Sequence, residues 1–396
     1  MSPSNLPATA SHAIRPSTMR DANCELVLRT LERQGPSTRA ELARHTSLTP
    51  QALGLMMGDL IRDCMVRVLD SEKIGRGRPA AVYAVDPAAG YWLGVSVQWR
   101  GVLLAVADAT GAIVARGRID HLGPSMSEIL ERVAERSHEL LESVPGAANR
   151  LLAVGLSVQG RVDPSGGVAI ESDCWPDRDV SPGVAFEQMT GWTTSIDSAA
   201  RATARAEVER THSERGLVAV LYISHDPVLV LVQDGVLLEG VRGRGGSMAH
   251  LPVPGGRVRC ECGRRGCMTT VASGTAVVSR YRKESGRRVD RAPQVIDAAR
   301  DGDPAAKAAL ADYRDITAQM TAMLLQFAQP RALIVSGLVG SASSRGAARL
   351  VDAIRQNLAG TALAEHLDIA ISPYELDAHV WGALLLARRA CGLRRI

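Results

Sequence analysis

The stretch TRAELARHTSLTPQALGLMMGDLIRD, residues 38–63, decides how the N-terminal part of the chain folds. Thr38 suits the cap of a short helix in which Ala40, Leu42 and Ala43 can pack inward. A turn at Thr46, Ser47 and Leu48 leads to Thr49-Pro50. Thr caps a second helix there, and Pro at the first helical position sacrifices no hydrogen bond. Leu53, Met56, Met57, Leu60 and Ile61 then recur at helical spacing as one apolar stripe. The pattern is helix, turn, helix, and Val27, Leu28 and Leu31 of a preceding helix close a three-helix core. Thr49, Gln51 and Ala52 lie on the face left free near the second helix start, where a recognition helix meets base edges. Arg39, at the start of the first helix, is placed with them.

Downstream, MVRVLDSEKI and GRGRPAAVYAV (residues 65–85) read as two strands joined by a polar turn, the form of a β-wing. Arg76 and Arg78, flanked by Gly75, Gly77 and Pro79, have little bulk around them. They can follow a phosphate backbone or enter a narrow minor groove. Short trihelical units also serve as dimerisation or protein-binding modules. Helix spacing therefore does not by itself specify DNA; the basic wing adds the specificity.

Beyond residue 86 the pattern changes to alternating strands and helices. YWLGVSVQW, GVLLAVAD and AIVARGRI form a hairpin-joined triplet, followed by an amphipathic helix at 125–143, the strand LLAVGLSV and a helix at 198–210. LVAVLYIS, VLVLVQDG and GVLLEGV repeat the theme. A Cys-rich insert, long helices, the strand ALIVSG and a final helix at 378–390 follow. Two similar halves imply a duplicated α/β fold with a cleft between two lobes. The expected domains are an arm at 1–20 without fixed structure, a winged helix-turn-helix at 21–86 and the two-lobed body at 87–396.

Composition agrees with a globular chain: 396 residues, 46% hydrophobic and 22% charged. Aromatics supply only 3%, so Leu, Val, Ile and Ala must build the core. The first twenty residues lack the apolar stretch of a signal peptide, and no apolar run suits a bilayer, so the expected location is the cytoplasm, with no membrane partner. A net charge of +4 is too small to identify a nucleic-acid partner by itself.

Seven cysteines argue against a complete disulfide framework. Cys260, Cys262 and Cys267 crowd together, and with His250 they read H-x9-C-x-C-x4-C across residues 250–267. Thiolates and imidazole are preferred zinc ligands, and four of them fill a tetrahedral shell, which makes the expected Zn2+ structural. The bland alternative is a group of buried cysteines beside an unrelated histidine. Cys24, Cys64, Cys174 and Cys391 are isolated, with core packing as their default role.

Taken together, these segments resemble the ROK (repressor, ORF, kinase) family from about Asn23 onward. The helix-turn-helix stretch, GRGRPA, CECGRRGC with His250 upstream, LLAVGLSVQGRVDPSGG and GALLLA carry the resemblance. It implies an actin/hexokinase-like, ribonuclease H-like duplicated body and an N-terminal DNA-binding domain. It also implies homodimers or homotetramers and a carbohydrate-like effector.

The departures from the family pattern point away from catalysis. The Asp-x-Gly phosphate motif is replaced at Ser96 and Gln98, followed by Trp99 and Arg100. The catalytic base falls on Ala199, or on Asp197 if a gap is allowed before Glu207. The second phosphate loop reads ISHDPV, in which Asp226 and Pro227 would repel and obstruct a nucleotide. Glu-x-Gly-His survives only as Ser247, Met248, Ala249 and His250. Thr269 stands where the family has Glu, and Gln159, Gly160 and Arg161 replace Pro-Gly-Pro. The resemblance thus leaves Gln159, Asp197, Ser247 and His250 as effector-site candidates and assigns no catalytic residue. In the recognition helix, Ala52 and Gly54 replace small hydroxyl residues. A DNA-binding regulator with a silent kinase body leads; a sugar kinase carrying a DNA-binding domain, or a protein-binding scaffold, are the alternatives.

Overall fold

The computed structural model describes residues 16–69, 81–99, 101–120, 123–172, 174–211, 215–337, 344–374 and 377–390. Helix α1 (Pro16–Gln34) starts ahead of the expected boundary at residue 21. After strand β1 (Ser37–Thr38), a capping box begins α2 (Arg39–Thr46). The Thr38 N–H donates to Glu41 Oε2 at 2.7 Å, and the Glu41 N–H donates to Thr38 Oγ1 at 3.3 Å. Ser47 turns the chain at φ 57°, and Thr49 caps α3 (Pro50–Arg62), with the Ala52 N–H donating to its hydroxyl at 3.2 Å. Strands β2 (Val66–Leu69) and β3 (Val82–Val85) pair antiparallel, with β1 on the other side of β3. Three helices and a small sheet are the arrangement expected from residues 38–85. The wing tip, including Arg76 and Arg78, lies outside the described residues.

The core of this unit is built as the spacing implies, from Val27, Leu28, Leu31, Leu42, Leu53, Met56, Met57 and Leu60. Two expectations fail: Ile61 is 37% exposed and Ala40 is also at the surface, each one step round its helix from the buried stripe. Cys64, expected in the core, is exposed.

The first lobe contains β4 (Tyr91–Gln98), β5 (Gly101–Asp108), β6 (Ile113–Ile119), α4 (Met126–Glu142) and β7 (Leu151–Val158). A side hairpin, β8 (Gly160–Asp163) and β9 (Val168–Ser172), precedes α5 (Pro182–Thr190), β10 (Thr194–Ser198) and α6 (Ala199–Arg210). The second lobe has β11 (Leu217–Ile223), β12 (Val228–Gln233), β13 (Val236–Leu237), α7 (Gly274–Ser285), α8 (Ala292–Arg300) and α9 (Pro304–Ala328). It ends with β14 (Ala332–Gly337), α10 (Ser344–Leu358), β15 (Asp368–Ile371) and α11 (Asp377–Ala390). The run GVLLEGV, expected as a full strand, pairs only at Val236 and Leu237 before leaving the sheet.

Both lobes carry one design. The first sheet runs β10-β7-β4-β5-β6 and the second, read from its far edge, β15-β14-β11-β12-β13. In each, the triplet is antiparallel and the two later strands join in parallel. This is the duplicated two-lobed body inferred from the repeated strand triplets.

Helix α11 breaks the symmetry by returning to the first lobe, where it packs on β4, β7 and α6. The approach is possible because glycines remove side chains at the contacts. A Cβ on Gly155 would sit 1.8 Å from the Ala383 carbonyl oxygen, and one on Gly382 would sit 2.3 Å from that of Ala202. One apolar core runs from Cys24, Leu53 and Met57 through Trp92 and Ala105 to Val380 and Leu384. The boundary drawn at 86/87 is therefore a chain landmark and not a break in packing.

Candidate functional site

Three regions carry chemistry: the exposed start of α3, the His/Cys loop and the cleft between lobes. On the first, Arg39, Thr49 and Gln51 are all exposed. The Arg39 guanidinium lies 5.4 Å from the Tyr83 ring centroid, which ties the start of α2 to the base of the wing. Ala52 does not belong to the free face as expected, because its methyl is half-buried against the three-helix core. The outward row instead includes Gln51, Leu55 and Gly58, one helical turn apart, with Leu55 68% exposed. Leu55 was missed because its apolar character suggests core, although it falls off the Leu53/Met57/Leu60 stripe. Asp59, beneath that face, pairs with Arg20 of α1 and with Arg62 at 2.9 Å.

In the second region, the ligand atoms of His250, Cys260, Cys262 and Cys267 lie within 4.8 Å of one another. Cys260 Sγ is 3.7 Å from His250 Nδ1, and the sulfurs of Cys262 and Cys267 are 3.6 Å apart. Ligands about 2.3 Å from a tetrahedral ion stand roughly 3.7 Å apart, so these residues fit such an ion. The backbone N–H and guanidinium of Arg264 hold the Cys262 thiol down at about 6, while burial pushes Cys267 up to about 11. Gly266 at φ 74° allows the loop's return, with its Cα where a Cβ on Gly256 would fall at 2.6 Å. The four residues expected to hold a metal are thus together, and the cluster can hold one.

The third region is where the sequence departs from a phosphoryl-transfer pattern. Ser96 and Gln98 are buried and satisfy each other, with Gln98 Nε2 donating to Ser96 Oγ at 3.2 Å. Asp197 at the end of β10 is only 2% exposed. Its Oδ1 accepts from the Ser198 N–H at 2.7 Å and from Arg201 Nε at 2.6 Å, while Oδ2 accepts from Arg205 Nη1 at 2.8 Å. Arg201 also donates to the carbonyls of Gly243 at 2.8 Å and Val162 at 3.2 Å. It therefore joins β10, β8 and the second lobe's 241–243 turn. Arg242 of that turn reaches Asp163 at 3.0 Å, and this pairing with the Ser165 hydroxyl holds the Asp163 carboxyl at about 2. Arg201 and Arg205 went unnoticed, although an Asp followed by Arg at one and two helical turns is legible in DSAARATAR.

The cleft, of 1650 Å³, takes in Trp99, Gln159, Ser224 and His225 on its walls, but not Asp197, Ser247 or His250. The effector-site candidates are thus dispersed: Gln159 faces the cleft, Asp197 is sealed, Ser247 is exposed elsewhere and His250 serves the cysteine cluster. The expected repulsion by Asp226 is also absent from the wall, because its carboxylate accepts from the Thr269 hydroxyl at 2.9 Å. A further buried carboxylate, Glu207, accepts from Ser336 at 2.7 Å and Ser372 at 2.6 Å, tying α6 to the second sheet.

Known proteins share this construction. The chain is 22% identical over 380 residues to the DNA-binding transcriptional repressor Mlc of Escherichia coli K12, covering 93% of each. It is 23% identical to the xylose repressor of Bacillus subtilis 168 over 66% of this chain and 68% of the relative. A ROK family transcriptional regulator described as a homolog of E. coli Mlc superposes with a TM-score of 0.76, at 22% identity over 94% of this chain and 96% of the other. A ROK family glucokinase from Streptomyces griseus, solved with glucose and AMPPNP, gives 0.64 at 21% identity over 76% of this chain and 100% of its own. The kinase covers only the two-lobed body, whereas the regulator spans the N-terminal helices as well. The family model described as "ROK family" matches residues 93–390, and the chain belongs to the ROK family.

Proposed function

We propose that this protein is a DNA-binding transcriptional repressor whose kinase-like body transfers no phosphate. The observation that carries the reading is the pairing of a capped helix α3, presenting Thr49 and Gln51 to solvent, with a body in which both Asp197 oxygens are engaged by arginines. A general base needs a free lone pair within reach of a substrate hydroxyl, and Asp197 faces Arg201 and Arg205 instead. The alternative base position, Ala199, has no proton acceptor. Repressor relatives over nearly the full length of the chain support the same direction.

The proposed partner is a double-stranded operator of pseudo-palindromic form, read by a homodimer or homotetramer in the cytoplasm. Gln51 and Thr49 contact bases or backbone, Arg39 lies beside them, and Arg76 and Arg78 of the wing supply sequence-independent affinity. His250, Cys260, Cys262 and Cys267 hold one structural Zn2+. With four protein ligands it keeps no open position for catalysis, and its role is to fix the loop on the second lobe.

Footprinting on genomic DNA with the full chain tests the reading and should return enriched palindromic sites. Replacing Arg76 and Arg78 together by Ala should weaken binding across sequences and flatten its dependence on salt. Unchanged affinity at every salt concentration would remove the wing from the interface. The kinase reading predicts ADP release with a hexose or amino sugar; such turnover, abolished by Asp197→Asn, would restore it.

A further inference from the structure

The cleft between the lobes retains a well-defined chemistry although its phosphoryl-transfer features are gone. At 1650 Å³ it is roomier than the roughly 300–1,000 Å³ usual for small-molecule sites. Its charge is one-sided. The carboxylates on its wall are Asp120 and Asp290, and each already serves an arginine, Arg118 and Arg282 respectively. Facing them are Arg291 and Lys307, from the α8–α9 side, and Arg345 and Arg349, on the first turns of α10. Among the described residues, Lys307, Arg345 and Arg349 pair with no carboxylate. Cations in a low-dielectric cleft focus the potential and concentrate anions there.

Two neutral groups on the same walls also lack partners. Gln159 is 3% exposed; its Oε1 accepts from the Trp99 N–H at 3.3 Å, but its Nε2 donates to nothing. The Tyr313 hydroxyl is likewise buried without a partner, and burial pushes its phenol upward so that it stays an O–H donor. A buried donor left unmade costs about 1–3 kcal/mol, so two of them on one cleft point to a ligand that accepts.

We propose that this cleft binds a small anion carrying two or more phosphate groups, held by Arg291, Lys307, Arg345 and Arg349, with Gln159 and Tyr313 donating to its remaining oxygens. The cations come from two separate elements, so a single phosphate does not engage both. Arginine favours phosphate through paired N–H donors, which a neutral sugar does not match. The inference rests on the reading of the body as a non-catalytic sensor, since a kinase would consume such a ligand.

Titration calorimetry on the full chain, without divalent metal, tests it with inorganic tripolyphosphate and ADP as probes and glucose as the neutral control. The expected result is submillimolar binding of at least one anion. It should weaken at least tenfold in the double variant Lys307→Gln/Arg349→Gln and with added salt. Equal binding of both anions makes the phosphates the handle, and tighter ADP adds a nucleoside contact; either outcome supports the proposal. No heat from either anion at millimolar concentration overturns it, as does an affinity unchanged in the double variant. Both substitutions are at exposed positions, so unchanged circular dichroism confirms that any loss is local. Operator binding is measured separately, without ligand, and should persist in the double variant. Its absence in the unaltered chain would sink the repressor reading and leave the cleft result standing.

Discussion

At the end of β10 in the first lobe, the polar groups are sealed: Asp197, Arg201 and Arg205 satisfy one another at side-chain exposures of 2%, 3% and 9%. Across the cleft, on the second lobe, Lys307, Arg345 and Arg349 stand exposed. The two sheets have the same strand order, so topology does not cause this difference. Helix α11 does, because it leaves the second lobe and covers the first. Every residue of β4 is buried as a result, while β15 is mostly exposed. The first lobe also shares its core with the helix-turn-helix, and Arg388 of α11 pairs with Glu32 of α1 while lying 5.4 Å from the Trp92 ring centroid. One lobe is thus continuous with the DNA-facing unit, and the other is left to meet ligands.

The comparison breaks most easily at Arg201. Removing one partner of a buried ion pair leaves the other uncompensated, at a cost of about 3–5 kcal/mol. Arg201→Ala should lose stability on that scale in urea unfolding, and it also frees the carbonyls of Val162 and Gly243. Arg349→Ala on the open lobe should stay within about 0.5 kcal/mol. Similar losses in both variants would erase the distinction between a sealed and an open lobe.

Gly155→Ala tests the cover itself. Its methyl would meet the Ala383 carbonyl oxygen at 1.8 Å and the Ala387 nitrogen at 2.8 Å, both backbone atoms that cannot swing aside. Overpacking of this kind costs about 1–3 kcal/mol or more. Operator affinity should fall with it, because the displaced α11 carries Arg388. A shift in unfolding midpoint without any change in DNA binding would disconnect α11 from the N-terminal unit.

His379, on the same helix, adds a dependence on pH. It is fully buried, with Nδ1 3.2 Å from Thr203 Oγ1 and 3.4 Å from the Tyr222 hydroxyl, and burial lowers it to about 4. Between pH 4 and roughly 6.5 the unfolded chain binds the extra proton, so this contribution to stability is full above 6.5 and is lost as pH falls toward 4. The loss is on the order of 3 kcal/mol. Glu207, raised chiefly by burial, works in the opposite direction: its stabilising effect is present at low pH and is lost as pH rises. The difference between the unaltered chain and His379→Asn isolates the histidine, and it should shrink as pH falls through this window. A constant difference would show that His379 does not titrate.

Much of this construction was legible in residue order. Capping residues and apolar spacing marked α2 and α3, repeated strand triplets marked the lobes, and the cysteine spacing marked the cluster. What escaped reading depends on where separate elements meet. The shared core across residues 86/87 exists because α11 returns over a long loop, which no local pattern encodes. Asp226 reads as a cleft residue until the chain places Thr269 beside it. Arg201 and Arg205 read as helix surface until α6 is seen to run beneath the interlobe turn. The cations of the cleft come from three helices whose convergence is tertiary.

The smallest expected effect separates stability from recognition within α3. A Cβ added at Gly54 or Gly58 would meet nothing within 4 Å, and neither backbone has a positive φ. Each Gly→Ala exchange should therefore stabilise the helix by about 1 kcal/mol, through propensity and through the entropy of the unfolded chain. Glycine at two sterically open helix positions thus runs against stability, and the exposed Leu55 lies between them. If α3 seats deeply in the major groove, the missing side chains are what let Gln51 and Leu55 approach the base edges. Gly54→Ala and Gly58→Ala should then raise the unfolding midpoint while weakening operator binding several-fold, an opposition that no packing defect produces. Higher stability with unchanged affinity would place the groove contacts at Thr49, Gln51 and the wing, and would leave the glycines as a cost without a counterpart in DNA binding.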